Sequence, residues 1–430
     1  MLEIGNNYDE QEWNTDELLE QSIEEHMNRL NNSIADYLAV KDQILTGFDQ
    51  ESKIQSQKNR IKSLFGATEE QWQDYHWQMA NRITDASTLS KILPLDKEEI
   101  DEIDIVSSKY RFAISPYYLS LIDPENRDCP IYKQSVPCLF ELDEGGVMDP
   151  MSENQCCPAE GVTRRYPDRL VINVTNQCGM YCRFCQRRRL IGEKDGNTSI
   201  DVINHAILYI QDHTEIRDVL ITGGDALMLG DDQLDDILTR LRRIQHVEII
   251  RIGSRTPVTL PQRITAELVT MLSKHHPIYV NTHFNSPAEV TPDSMKACGM
   301  LANSGIPLGN QMVLLQGVNN NKFIVRKLNQ QLLRLRVKPY YIFHPKQVTG
   351  TSHFWVRLED GLEIMESLRG YTSGMAIPTY IVNGTGGLGK TPLIPNYLLY
   401  IGKEKAVFRN WEGRTFKIEN HQYDDSNQRG

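Results

Sequence analysis

Residues 169–189, RLVINVTNQCGMYCRFCQRRR, decide how this chain is read. The segment opens as a short apolar run rich in β-branched residues, which predicts a strand. It then delivers Cys178, Cys182 and Cys185 in a Cys-x₃-Cys-x₂-Cys array. Three closely spaced thiolates are soft ligands suited to a redox metal centre. They are one short of the four that close a structural zinc or cubane iron–sulfur site. A [4Fe–4S] cluster held this way keeps one iron open to an outside ligand. A zinc knuckle lacking its fourth ligand, or three thiols that merely fill space, are the plainer readings.

The strand-then-motif pattern recurs along the chain. Further runs are RDVLITGGD (217–225), VEIIRIGSR (247–255), PIYVNTHFN (277–285), PLGNQMVLLQG (307–317), PYYIFH (339–344) and PTYIVNG (378–384). Amphipathic stretches of helical length, such as DDQLDDILTRLRRI (231–244), separate them. This alternation predicts an α/β fold, a parallel sheet with crossover helices. In a parallel α/β barrel the chemistry sits at the carboxyl ends of the strands, where these motifs fall. Gly223 and Gly224 let backbone approach a ligand, and Asp225 can accept from a ligand amine. Ser254, Arg255, His283 and Gln311 end later runs and are candidates for the same ligand. A lone His or Gln at a strand end is more often a hydrogen-bonded structural residue.

A chain of 430 residues can bury a large core, and its net charge of −11 argues against a nucleic-acid-binding surface. No stretch of about 18 apolar residues predicts a membrane span. The N-terminus, MLEIGNNYDEQEW, lacks the basic start and apolar core of a signal peptide, so a cytoplasmic protein is expected. Eight cysteines, several of them clustered, point to a reducing compartment with a metal site. Residues 1–65 read as a helical arm. Ile23, Met27, Leu30, Ile34, Leu38 and Leu45 form an apolar stripe on one long helix, suited to packing or to a homo-oligomer. Residues 66–160 read as helical and loop-rich, 161–383 as the α/β region, and 384–430 as a glycine–lysine loop with a polar tail.

The segment GTGGLGKTP (384–392) fits both the phosphate-loop template and the dinucleotide fingerprint. Position argues against both, because too little chain follows to build the sheet either needs. Pro392 and Pro395 would also interrupt a helix started at the glycines. A lysine in a glycine-rich loop has another use: its amine can form a Schiff base with an aldehyde cofactor.

TRRYPDR (163–169), CGMYCRFCQRRR (178–189), GGDAL, RIGSRTPV, NTHFN, PLGNQ, PYYI and GGLGKTPLIPN (386–396) together carry a resemblance. The chain resembles the radical S-adenosylmethionine (SAM) superfamily and, within it, the pyridoxal 5′-phosphate (PLP)-dependent 2,3-aminomutase family, over roughly residues 69–415. The resemblance implies a partial (β/α) barrel with an N-terminal helical extension. It implies a [4Fe–4S] cluster on Cys178, Cys182 and Cys185, with SAM on the open iron and against Gly223, Gly224, Asp225, His283 and Gln311. Lys390 would hold PLP, and Arg165 and Arg169 would neutralise its phosphate. Arg187 would clamp the substrate α-carboxylate with its planar fork. Arg188 and Arg189 are expected to form a solvated basic patch. The implied reaction is an isomerisation: a 5′-deoxyadenosyl radical takes hydrogen from C3, the amino group moves from C2 to C3, and the hydrogen returns. A reductant such as a flavodoxin or ferredoxin is implied.

Family members acting on lysine carry aspartates at two positions that grip the distal ammonium. Here Lys346 follows the PYYI strand and Asn383 precedes the glycine loop. A distal ammonium beside Lys346 would be repelled and left unpaired in a low dielectric. A distal carboxylate would find a cation and an amide donor. The chain is therefore similar to the glutamate 2,3-aminomutases, which make β-glutamate. Lysine, free or protein-bound, is the alternative substrate. The lysine branch also binds zinc through a C-terminal cysteine cluster. No cysteine follows Cys298 here, so no structural zinc is expected and Cys298 is read as a packed thiol.

Overall fold

A computed structural model describes residues 16–420, with side chains from residue 21 onward. The chain divides into two compact units, residues 1–44 and 45–430. The first contains helices Asp16–Ser33 and Ala35–Val40, on which Ile23, Met27 and Leu38 are exposed. The second begins with a turn and the helix Glu51–Phe65. The stripe read as one helix is thus three, and the expected start near residue 13 lies outside the described residues. Local polar chemistry accounts for the breaks. Ser33 Oγ donates back to Leu30 O at 2.7 Å, and the Asp49 carboxylate accepts from Thr46 N and Oγ at 2.8 and 2.7 Å. At Gly47 a Cβ would lie 2.5 Å from Thr291 Cγ2, so only glycine lets this turn sit against the strand-loop region.

Nine strands form the main sheet in sequence order: β1 (Val162–Thr163), β2 (Arg169–Asn173), β3 (Asp218–Thr222), β4 (Ile249–Gly253), β5 (Ile278–Thr282), β6 (Leu308–Val313), β7 (Val337–Phe343), β8 (Thr379–Gly384) and β9 (Gly389–Pro392). Strands β2 to β8 are parallel, and each of the seven apolar runs supplies one of them. Strands β1 and β9 add antiparallel edges. The sheet curls into a half-barrel. Its crossover helices include Ile200–Asp212, Asp231–Arg242, Ala266–Ser273, Pro292–Asn303 and Lys322–Arg334. Ser199, Thr265, Thr291 and Asn321 cap four of these by accepting from first-turn amides. A small antiparallel sheet follows: Leu398–Ile401, Lys405–Arg409 and Thr415–Glu419.

The period of two along the strands divides the sheet's faces. Leu170, Ile172, Val219, Ile221, Ile250, Ile252, Ile278 and Val280 are buried in the hydrophobic core. Their neighbours Val171, Leu220, Arg251, Asn281 and Gln311 line an internal cavity instead. A closed barrel fills that inner face with side chains. This one keeps it open and polar.

The cysteine loop is anchored by a buried ion pair. Arg183 Nε and Nη2 donate to both oxygens of Glu141 at 2.8 and 2.6 Å, with the side chains 2% and 0% exposed. Arg188 Nη2 reaches the same carboxylate at 2.5 Å, and its Nη1 donates to Gly350 O at 2.7 Å. Arg188 is therefore a buried anchor, not part of a solvated patch. Glu141→Ala would strand two buried guanidiniums. It is expected to cost about 3–5 kcal/mol, read as a lower midpoint in denaturant unfolding of the cofactor-free protein.

Candidate active site

The cavity, about 340 Å³, opens at the carboxyl ends of the parallel strands. It is lined by Cys178, Cys182, Cys185, Arg165, Arg169, Arg187, Gly223, Gly224, Asp225, Ser254, Arg255, His283, Gln311, Lys346, Asn383 and Lys390. Every candidate residue named from the sequence thus faces one space.

The three thiols are unbridged, and burial raises the thiol pKa of Cys178 and Cys185. For Cys178 the Asp225 carboxylate and the two neighbouring sulfurs add to the effect. Cys182 Sγ accepts from Arg255 Nη1 at 2.8 Å. Three soft donors in one cavity wall fit a metal cluster bound by thiolates.

Gly223 and Gly224 have a structural reason in addition to any ligand. Gly223 has φ 144°, and a Cβ there would lie 2.2 Å from Thr175 O; at Gly224 it would lie 2.4 Å from Gln177 O. The glycines let the β3 loop bond edge-on to the cysteine segment, with Gly224 N donating to Thr175 O and Asp225 N to Gln177 O at 2.6 and 2.7 Å. The Asp225 carboxylate accepts from Leu227 N, Ser254 Oγ and Arg255 N at 3.0, 2.7 and 2.7 Å. It is fixed in place with acceptor capacity left for a ligand amine. His283 is held well below its ordinary pKa, first by burial and then by Arg255, so it is neutral. One ring nitrogen is within 3.0 Å of Asn285 Oδ1.

The segment 384–392 folds as the β8–β9 hairpin, with Asn383 opposite Lys390 and Gly384 opposite Gly389. No helix follows the glycines, which removes the nucleotide-loop geometry. Cross-strand partners project to the same face, so Asn383 and Lys390 meet the cavity together. Lys390 N–H donates to Tyr166 Oη at 2.9 Å, and the Arg169 guanidinium stacks 4.0 Å above the Tyr166 ring. The Lys390 amine is open to the cavity yet closely surrounded by protein. Burial, then Arg251, Arg169, Arg165 and Arg187, lower its pKa to about 8. An amine that loses its proton far more readily than an ordinary lysine, beside guanidinium donors, fits an aldehyde cofactor bearing a phosphate. Arg165 Nε is buried without a partner, as is Asn383 Nδ2. Lys346 makes no ion pair among the described residues, and burial, Arg187, Lys390 and Arg165 lower its pKa to about 7, with Glu153 partly offsetting them.

Several cavity residues escaped the sequence reading. Arg251, on the inner face of β4, bonds Asp218 at 2.7 Å and stands near Lys390. Its position in an otherwise apolar run was the available signal. Tyr166 and Glu153 sit in loops whose local sequence carries no periodic signal. Cys298 is fully buried, with burial pushing its thiol up to about 12.

Comparisons with known proteins agree with this geometry. Residues 172–325 match the model of the radical SAM superfamily and residues 365–428 the family described as lysine-2,3-aminomutase. A glutamate 2,3-aminomutase of Clostridioides difficile (strain 630) is 56% identical, covering 92% of this chain and 94% of that protein. An L-lysine 2,3-aminomutase of Clostridium subterminale is 47% identical, covering 83% and 86%. The chain belongs to the radical SAM 2,3-aminomutase family. It is an isomerase, and its cofactors are a [4Fe–4S] cluster, SAM and PLP. A radical SAM methyltransferase from Sphaerobacter thermophilus aligns with a TM-score of 0.38 and 14% identity, covering 53% of this chain and 72% of that one. No helix among the described residues is long and apolar enough to cross a membrane.

Lys390→Met is expected to abolish the visible absorbance of lysine-bound PLP while leaving iron content unchanged. In the unmodified protein, the rate of PLP capture should rise with pH through about 8 as the amine deprotonates, then level off.

Proposed function

We propose that this aminomutase acts on L-glutamate, moving its α-amino group from C2 to C3 to give β-glutamate. One observation carries the reading: Lys346, which makes no ion pair among the described residues, and Asn383, whose buried Nδ2 has no hydrogen-bond partner, line the same cavity. A buried donor and a buried cation left unmatched cost free energy until a ligand fills them. The distal carboxylate of glutamate does so. A lysine substrate would place its ammonium against Lys346 and leave the Asn383 amide facing another donor. The glutamate 2,3-aminomutase relative supports the same substrate.

When bound, the cluster and SAM supply the hydrogen-abstracting radical, and PLP stabilises the migrating nitrogen. The chain's own groups do the rest. Cys178, Cys182 and Cys185 hold the cluster; Asp225, with Gly223, Gly224, His283 and Gln311, orients SAM. Arg165 and Arg169 take the PLP phosphate, and Lys390 holds its aldehyde carbon. Arg187 clamps the substrate α-carboxylate while Lys346 and Asn383 take the distal one, so the substrate is fixed at both ends with C3 between them. Phe343, Leu315 and Phe354 keep water from the reacting carbons. A flavodoxin- or ferredoxin-type donor would supply the electron that the reaction needs. The exposed apolar stripe of Ile23, Met27 and Leu38 favours a homo-oligomer, and the reading places the protein in the cytoplasm.

The test is anaerobic turnover of reconstituted enzyme offered glutamate, lysine and aspartate side by side. β-Glutamate alone is expected; β-lysine would place Lys346 and Asn383 outside the substrate contacts. Lys346→Met should raise the glutamate KM by roughly 10- to 100-fold. Lys346 is charged below about pH 7, and a bound carboxylate favours the charged form. Glutamate KM should therefore rise above pH 7, by up to roughly tenfold per unit, and Lys346→Met should flatten that dependence.

A further inference from the structure

Glu153 opens a short 3₁₀ turn and has no part in the proposed reaction, yet three arginines meet on it, two of them lining the cavity. It is 7% exposed and accepts from three guanidiniums. Arg165 Nη2 reaches Oε1 at 2.8 Å, and Arg189 Nη2 reaches Oε2 at 2.8 Å. Arg187 bonds through one edge only: Nε lies 3.2 Å from each oxygen and Nη2 3.0 Å from Oε1. Burial alone would raise this carboxyl; Arg187, Arg189 and Arg165 instead hold it at about 2, so it is ionised throughout the working range.

A guanidinium offers two edges to carboxylates, the Nε–Nη2 side and the Nη1–Nη2 end. Glu153 occupies the side of Arg187. Nη1, at the other end, has no hydrogen-bond partner among the described residues, and Arg187 lines the cavity. We infer that Glu153 is a positioning residue, which by fixing one edge of Arg187 aims the other at the substrate α-carboxylate.

The loop is built to hold that carboxylate still. Ser152, immediately before it, is a non-glycine residue at φ 47°, a conformation that costs free energy and persists only where surroundings enforce it. Pro150 O accepts from Gly386 N at 3.1 Å, and Cys156 O accepts from Arg164 N at 2.8 Å. A Cβ at Gly387 would lie 3.1 Å from Cys156 Sγ. The Glu153 loop is thus clasped to the hairpin carrying Lys390 at one end and to the Arg165 segment at the other. One acid sets the spacing between substrate clamp, phosphate arginine and cofactor lysine.

This inference rests on Arg187 binding the α-carboxylate, which glutamate and lysine share, so it does not depend on which of them is the substrate. The test compares Glu153→Gln with the unmodified PLP-loaded protein, without SAM. Binding of L-glutamate and of 4-aminobutyrate, the same molecule without its α-carboxylate, is read from the shift in PLP absorbance. If the unmodified protein binds lysine instead, L-lysine and cadaverine form the pair, and only the substrate reading falls. The amide variant is expected to bind the amino acid about 10-fold more weakly and the decarboxylated amine within about twofold of unmodified protein. Equal weakening of both would mean a merely structural role and overturn the proposal. Unchanged or tighter amino-acid binding would do so too, since removing a negative charge without losing aim should strengthen anion binding. Glu153→Asp keeps the charge but shortens the reach. It should show the same selective loss at smaller amplitude, a result that stands even where the amide variant fails to accumulate.

Discussion

The Arg255 guanidinium, buried against the rings of Tyr118 and Phe184, ties together four segments that meet at the strand mouth. Nη1 donates to Cys182 Sγ at 2.8 Å, Nη2 to Gln134 Oε1 and Glu289 Oε1 at 2.6 and 2.7 Å, and Nε to His283 O at 3.1 Å. Its backbone N–H donates to Asp225. A rigid fork with five donors can do this, whereas a lysine ammonium cannot reach so many directions at once. Glu289 balances the charge, so the pair's contribution is geometric more than energetic. Through it the cysteine loop after β2, the glycine loop after β3 and the end of β4 keep one mutual arrangement. Were Cys182 to ligate a cluster, a cation bonded to its sulfur would favour the cluster's electron-rich state.

Around that scaffold the inner face carries more positive charge than it neutralises. Arg165, Arg187 and Arg189 share Glu153, with Asp149 assisting Arg189; Arg169 pairs with Asp168 and Arg251 with Asp218. Lys346 and Lys390 have no such partners among the described residues. Burial, joined by repulsion from neighbouring cations in a space of low dielectric, lowers the pKa of both amines. The surplus suits anionic ligands: a phosphate and, on the proposed reading, a substrate with two carboxylates. Burial and the same guanidiniums also make Lys390 easier to deprotonate than an ordinary lysine.

Much of this was legible in the sequence because it depends on local pattern. Seven apolar runs became seven parallel strands, and each motif fell at a strand end, where period and chain direction put it. The residues missed depend on contacts between distant segments. Nothing in DPMSENQ marks Glu153, whose partners lie 12, 34 and 36 residues downstream. Arg188 reads as an exposed charge until Glu141, 47 residues upstream, is seen to be buried beside it. The N-terminal stripe was overread for the opposite reason. Its periodicity is real, but Ser33 bonds back to Leu30 at the end of the first helix, and Thr46 and Asp49 bond each other in the turn before the third.

Substrate choice in this site follows from reach as well as charge. Asn383 is locked opposite Lys390 by the β8–β9 register, so its distance from the cofactor lysine is a property of the backbone and does not vary with the ligand. Lys346, by contrast, follows β7 on a long stem whose Nζ lies over the Phe343 ring, 5.2 Å from the centroid. Glutamate is a shorter substrate than lysine, so its distal group stops farther from the wall. An aspartate at either position would be both of the wrong sign and too short to meet it. On the proposed reading, a lysine reverses the charge and spans the added gap in one substitution, while the α-carboxylate would stay where Arg187 and Glu153 would hold it. The reacting carbon is then in the same place for either substrate class, and specificity can change at the strand ends without disturbing the core that positions the chemistry.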